Sequence, residues 1–295
     1  MRENLSVRDR NGLVRLPKSV RKRFAVTGDG FTLAAVDPGD TSGAKDKAKA
    51  RAFVESLRPC LTDWQTRLYA DRRQSLLVVL QGMDACGKDG VIKHVVDLFY
   101  PTSVKVTSFK APTDEEKRHN FLWRFRPVLP SPGNIMVWNR SHYEDVGTVK
   151  VHELASPQVI ERRYGEINRF EQEAADNGVR IIKCFLHVSQ AEQRQRMLDR
   201  LADPTKRWKF KASDLDESDR WMEYMAAYDV AIQRCSTDIA PWYVVPADHK
   251  WYRDWVVSQL VLEWFEQMNP QYPAMAELDL PALRGRIKAS GRVAT

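Results

Sequence analysis

The sequence predicts an α/β fold, a three-layer sandwich in which helices cover both faces of a parallel central sheet. Three observations carry this. Strand-length apolar runs alternate with stretches of helical periodicity from residue 75 to residue 268. The runs are continuously apolar, as strands buried on both faces must be. The first strong run, SLLVVLQ (75–81), enters a glycine-bounded turn that ends in lysine, GMDACGK (82–88), and an apolar-periodic stretch follows.

The elements follow in order. Residues 1–44 read as an irregular basic arm, and residues 1–60 carry 13 Lys and Arg against 7 Asp and Glu. Residues 42–73 read as helical, because Phe53, Leu57, Leu61, Trp64 and Leu68 recur at three- to four-residue spacing, with an interruption at Pro59. After strand 75–81 a helix runs through VIKHVVDLF, and KVTSFK (105–110) gives a second strand. PTDEE opens a further helix, with Thr113 and Glu116 at capping-box spacing. NIMVWNR (134–140) is the third strand, 157–176 a helix, and VRIIKCFLHV (179–188) the fourth strand. Helices are expected near 190–201 and 213–236, with a basic segment at 194–213 between and around them. PWYVVPA (241–247) is the fifth strand and 250–268 the closing helix. The main domain is therefore placed at 45–270, and 271–295 is read as a tail.

A chain of 295 residues, 43% hydrophobic and 29% charged, can bury a core without disulfides. Its four cysteines form no C-x-x-C pair and read as reduced thiols, which points to a cytoplasmic protein. No apolar run is long enough to span a membrane, and the N-terminal MRENLSVRDRNG carries no secretion signal. The net charge is +7, and residues 194–211 alone hold 7 basic against 2 acidic side chains. Such an excess implies an acidic partner.

The turn after the first strand has the spacing of a phosphate-binding loop, with Gly82, Gly87 and Lys88 in register. Backbone N–H groups converge on phosphate in such a loop, and the lysine supplies a charge beyond them. Two features are unusual. Asp89 stands where Ser or Thr normally offers a hydroxyl to a metal, and Asp84 lies inside the cradle itself. The third strand ends in Asn139-Arg140, followed by Ser141-His142-Tyr143-Glu144-Asp145. In phosphate-loop folds that strand tip usually carries a metal-holding Asp. Here Asn139 is neutral, so Asp84, Glu144 and Asp145 become the candidate metal carboxylates. Arg140 suits a bidentate phosphate contact, while His142 is read as structural. Arg200, Lys206, Arg207, Lys209 and Lys211 surround a proline turn, where nucleotide kinases carry a closing lid. Cys86, within the cradle, is expected to be a reactive thiol whose modification blocks the phosphate site.

GMDACGKDG, WNRSHYEDV and ADPTKRWKFKASD, in that order over residues 45–268, resemble the polyphosphate kinase-2 family. These are polyphosphate-dependent nucleotide phosphotransferases on a P-loop kinase fold similar to thymidylate kinase. The resemblance implies that Asp84 and Lys88 form the catalytic pair of the loop. It places Asn139-Arg140 at the Walker B position and Arg200, Lys206 and Lys209 in a basic lid. It further implies Mg²⁺, with Asp84 and Glu144 as its carboxylates, and a homo-oligomer, dimer or tetramer. Many members have Asp-Arg-Ser where this chain has Asn-Arg-Ser. That variant resembles the subgroup that phosphorylates both nucleoside monophosphates and diphosphates.

The expected reaction moves a terminal phosphate from inorganic polyphosphate to ADP or GDP, with AMP or GMP as further acceptors. An acid in the cradle is tolerable if it meets phosphate through a metal ion. The acceptor phosphate, with a pKa near 6, is already mostly ionised at neutral pH, so no general base is required. Two other readings compete. An ATP-dependent nucleotide or small-molecule kinase would need a donor-base site, for which no signature is present. A nucleic-acid-binding protein would interleave stacking aromatics with its basic residues, and the lid offers only Trp208 and Phe210.

Overall fold

The computed structural model describes residues 7–8, 14–15, 19–27, 30–274 and 278–290. The remainder of the predicted arm and tail lies outside the described residues. Five strands form the central sheet: β1 (Ser75–Gln81), β2 (Val104–Ser108), β3 (Ile135–Asn139), β4 (Val179–His187) and β5 (Trp242–Pro246). All pairings are parallel, and the spatial order is β2-β3-β1-β4-β5. Every residue of β1 is buried, which explains its uninterrupted apolar run. The chain leaves β1 towards one edge of the sheet and returns to fill the other. The crevice at the C-terminal end of β1 is therefore the topological switch point, where open α/β sheets bind ligands. Register fixes the two tips beside it: Leu80 pairs with Asn139 on β3, and Gln81 with Phe185 on β4.

The predicted helix 42–73 is two helices, α2 (Lys47–Ser56) and α3 (Arg58–Asp71). Pro59 lies at the start of α3, where its missing N–H costs nothing. Helix α4 (Lys88–His94) opens at the phosphate loop and gives way to a 3₁₀ turn, Val96–Leu98. The capping box forms as predicted, Glu116 N–H donating to Thr113 Oγ1 and Thr113 N–H to Glu116. It caps only a 3₁₀ turn, Glu116–Arg118, and not an α-helix. Helices α5 (Pro157–Asp176) and α6 (Gln190–Ala202) match their predicted spans closely, whereas 213–236 splits into α7 (Ser213–Asp219) and α8 (Trp221–Cys235). Helix α9 (Lys250–Met268) packs with α2, α4, β4 and β5, and nearly all of it is buried.

Before α2 the described chain is not a free arm. Helix α1 (Val20–Phe24) buries Val20 and Phe24, and Leu33 is also buried. Ser19 Oγ and the backbone N–H groups of Val20 and Arg21 donate to Glu263 on α9. A helix this short cannot hold itself in water, so its side chains had no period to reveal. Helix α10 (Leu280–Ser290) follows beyond the sheet.

Candidate active site

Strand β1 ends directly in the loop 82–88, whose backbone only glycine can follow at two positions. Gly82 has φ +142°, and a Cβ there would lie 2.8 Å from the Leu186 carbonyl oxygen. Gly87 has φ +111°, and a Cβ would lie 1.8 Å from Nη1 of the buried Arg253. Between them Ala85 is held left-handed at φ 61°. Lys88 is buried and its Nζ donates to the carbonyls of Gly82 (2.7 Å) and Met83 (3.2 Å). Its ammonium is thereby drawn across the loop. Cys86 Sγ lies 3.6 Å from the same Nζ and is fully buried. Burial of the sulfur stands against the expectation that this thiol is readily modified.

Asp84 meets Arg140, whose guanidinium donates to the carboxylate and also lies 3.8 Å from Glu144. Arg140 is itself left-handed, φ 65°, at the turn leaving β3, and its N–H donates to Leu80 O. Burial pushes the Asp84 pKa up, but Lys88, Arg140 and Arg200 outweigh it and hold the carboxyl below its usual range. Glu144 accepts from Gln81 Nε2 and from Thr148 Oγ1, both at 2.6 Å. Asp145 has its carboxylate 3.8 Å from Arg163, yet burial lifts its pKa to about 6. Asn139 Nδ2 donates to Asp89 at 3.0 Å, on the loop's side of the site.

The structure thus gathers Gly82, Asp84, Gly87, Lys88, Asn139, Arg140 and Glu144 around the end of β1. The lid residues distribute differently. Arg200, on α6, lies 3.6 Å from Asp214 and is close enough to Asp84 to depress its pKa. Lys209 pairs with Asp89 at 3.2 Å. Among the described residues Lys206 pairs with Asp203, three positions earlier, and it is exposed.

Sequence reasoning missed the residues that hold the loop. Arg196, on α6, donates to the carbonyls of Ala85 and Cys86 through Nη1, and to those of Ala247 and Asp248 through Nη2, at 2.5–3.0 Å. It is 6% exposed. Gln193, one turn earlier, donates to Asp84 O and accepts from Ser218. A basic-rich helix gives no sign of which arginine turns inward. Beneath Asn139-Arg140 lies a second buried network. Lys183 donates to Glu171 (2.6 Å), to Tyr143 Oη (2.8 Å) and to the Cys235 carbonyl, while His142 Nε2 lies 3.1 Å from Glu171. His142 is 1% exposed and burial lowers its pKa, so it is a neutral structural group, as expected. Burial raises the Glu171 pKa, but Lys183 and the His142 contact together outweigh it and hold the carboxyl below its usual range.

The donor set suits a hard cation bound partly by substrate. Among the described residues no three His, Cys, Asp or Glu side chains gather into a metal cage. Mg²⁺ characteristically takes one or two carboxylates and completes its shell with phosphates and water. Asp84, at the mouth of the loop and ionised, fits that role. Glu144 already accepts from two protein donors, which suits it better to orienting Arg140. No helix of the described residues is long and apolar enough to cross a membrane.

Comparison with known proteins agrees with this geometry. The chain is 46% identical over 256 residues to the AMP/ADP-polyphosphate phosphotransferase of Meiothermus ruber, covering 85% of this chain and 95% of that protein. It is 43% identical over 225 residues to the ADP-polyphosphate phosphotransferase of Rhodopseudomonas palustris, covering 72% and 78% respectively. The crystal structure of Polyphosphate Kinase 2 from Arthrobacter aurescens superposes with a TM-score of 0.90 at 41% identity, covering 94% of this chain and 99% of that one. The fold is accordingly the P-loop kinase fold that the sequence implied. The family model for Polyphosphate kinase 2 matches residues 44–273, and the chain belongs to that family.

Proposed function

We propose that this protein transfers the terminal phosphate of inorganic polyphosphate to nucleoside diphosphates, ADP and GDP, and also to their monophosphates, with Mg²⁺. The observation that carries the reading is Asp84 inside the phosphate loop, bonded to Arg140 and held below its usual pKa by Lys88, Arg140 and Arg200. Three cations around one acid form a site for polyanions that also has an anchor for their metal. Mg²⁺, when bound, would neutralise phosphate charge between donor and acceptor.

The chain's own residues do the rest. The loop backbone and Lys88 hold the phosphoryl group; Arg140 and Arg200 stabilise charge that develops on it; Arg196 keeps the loop in shape. No side chain need remove a proton, since the acceptor phosphate is ionised at neutral pH. Catalysis is positioning and charge neutralisation. Acceptance of monophosphates is supported by Asn139 at the strand tip and by the name of the Meiothermus relative. We further infer a cytoplasmic homo-oligomer, dimer or tetramer. We assign residues 45–270 to the transferase domain, 194–213 to the lid, 1–44 to an N-terminal arm whose helix α1 docks on α9, and 271–295 to a tail.

The test is an acceptor panel of AMP, GMP, ADP and GDP with polyphosphate at saturating Mg²⁺. Diphosphates should be converted fastest and monophosphates more slowly. Conversion of diphosphates alone would remove the monophosphate assignment; conversion of none would overturn the reading.

A further inference from the structure

Asp89, the residue that replaces the usual loop hydroxyl, touches two substrate-handling elements at once. Its Oδ1 accepts from Asn139 Nδ2 at 3.0 Å, and its Oδ2 pairs with Lys209 Nζ at 3.2 Å. These partners come from the tip of β3 and from the lid, 50 and 120 residues away. An ionised carboxylate can only accept hydrogen bonds. Asp89 therefore fixes which way round the Asn139 carboxamide sits, with its oxygen on the side away from Asp89.

The lid contact stands out by what surrounds it. Lys206 bonds to Asp203, Arg207 Nε to Leu201 O, Trp208 Nε1 to Thr205 O and the Lys211 N–H to Asp214. Among the described residues, every side-chain hydrogen bond of residues 203–211 other than that of Lys209 closes within 201–214. Arg196 ties the base of the lid, on α6, to the loop carbonyls, and the pair to Asp89 is thus the polar tether of the lid's outer segment, 203–211. Lys209 and Asp89 side chains are 40% and 69% exposed. A pair so exposed is weak, and a polyphosphate chain entering between lid and loop can replace the carboxylate.

We propose that Asp89 is a positioning residue: it tethers the lid over the phosphate loop through Lys209, orients Asn139, and is displaced from Lys209 by donor phosphate. The proposal rests on the reading of the lid lysine as a donor ligand. It commits Asp89 to a role distinct from metal binding, the role its loop position would otherwise suggest.

The test is Asp89→Asn in the full chain, which keeps an oxygen acceptor for Asn139 and removes the charge that holds Lys209. Hydrogen exchange is read at residues 203–211, with and without tripolyphosphate. The variant's lid amides should exchange about two- to fivefold faster than wild type without tripolyphosphate, and raising salt should bring wild type towards the variant. With tripolyphosphate both should be equally protected. The KM for polyphosphate should fall about two- to fivefold, with kcat little changed. Unchanged lid exchange would overturn the tether. A kcat loss of about a hundredfold, with a raised Mg²⁺ requirement, would overturn the positioning role in favour of a metal ligand. Asp89→Ala should additionally lower kcat, because Asn139 loses its acceptor; an alanine variant kinetically identical to Asp89→Asn would overturn that half. Because exchange is measured without turnover, a wild type inactive on polyphosphate would refute the functional reading while the lid result still decided the tether.

Discussion

Arg140, at the tip of β3, donates to the carboxylate of Asp84 inside the phosphate loop. The two are 56 residues apart in the chain and follow directly on neighbouring strands, β1 and β3. Each answers the other's difficulty: an acid beside phosphate is repelled, and an arginine at a half-buried turn gains from a counter-charge. Burial lowers the Arg140 pKa, but Glu144 and Asp84 raise it further, so the guanidinium stays charged throughout the pH range of activity. We expect Asp84→Asn and Arg140→Ala each to lower kcat by about 10²–10³. The double variant should lose much less than the product of the two, because both act on one phosphoryl group. Strict additivity in this cycle would show that the contact does not operate during transfer.

Arg196 should behave as a pin for the loop. Arg196→Lys keeps the charge but cannot span four carbonyls from one planar group. A loss of about 2–4 kcal/mol in stability is expected for Arg196→Ala, since buried carbonyls lose their donor. Arg196→Lys should retain most of the stability while kcat falls about tenfold, because a misplaced loop misplaces the phosphate. Chemical denaturation and steady-state kinetics separate the two effects. A lysine variant with wild-type kcat would show that charge alone suffices.

Asp145 gives a pH prediction. Burial raises its pKa in the folded chain to about 6, whereas the unfolded chain has the ordinary value near 3.9. Between these values the folded state binds more protons, so stability falls as pH rises from about 4 to 6 and stays lower above. Asp145→Asn should therefore stabilise the protein by about 1–3 kcal/mol at pH 7.5 and by little near pH 4. Urea unfolding at both pH values, in the absence of metal, tests this. An equal effect at both would place the cause outside the titration.

The lid charges should matter for the donor more than for the chemistry. Neutralising Lys206 and Lys209 together is expected to raise the polyphosphate KM and flatten its dependence on ionic strength, with the effect growing as the donor lengthens. Adding Arg200 should lower kcat as well, since it lies near Asp84 and not only in the lid. A triple variant with wild-type kinetics at all salt concentrations would reduce the segment to a solvated loop.

Most of the fold was legible because its signals are local. The buried strands announce themselves as apolar runs, Pro59 marks the break between α2 and α3, and Gly82 and Gly87 stand where a Cβ would strike neighbouring atoms. The loop acid and the strand tip could be placed because a phosphate loop fixes where its neighbours end. What remained hidden depends on long-range placement. Nothing in QAEQRQRMLDR distinguishes the inward Arg196 from the outward Arg194, which pairs with Asp219 at the surface. Cys86 is fully buried with Lys88 Nζ 3.6 Å from its sulfur, a placement no spacing encodes. Residues 19–27 lack a period because α1 and the chain after it are held by α9 and β5 rather than by a helical repeat of their own.

The most direct test concerns the phosphate donor. Purified protein is incubated with Mg²⁺ and ADP, with polyphosphate in one series and with no donor or another nucleoside triphosphate in the others, and product is followed by ³¹P NMR. The account predicts ATP formation at the expense of polyphosphate end groups, abolished by Lys88→Ala with the fold intact. Phosphate transfer from a nucleoside triphosphate to some other acceptor, with none from polyphosphate, would contradict it.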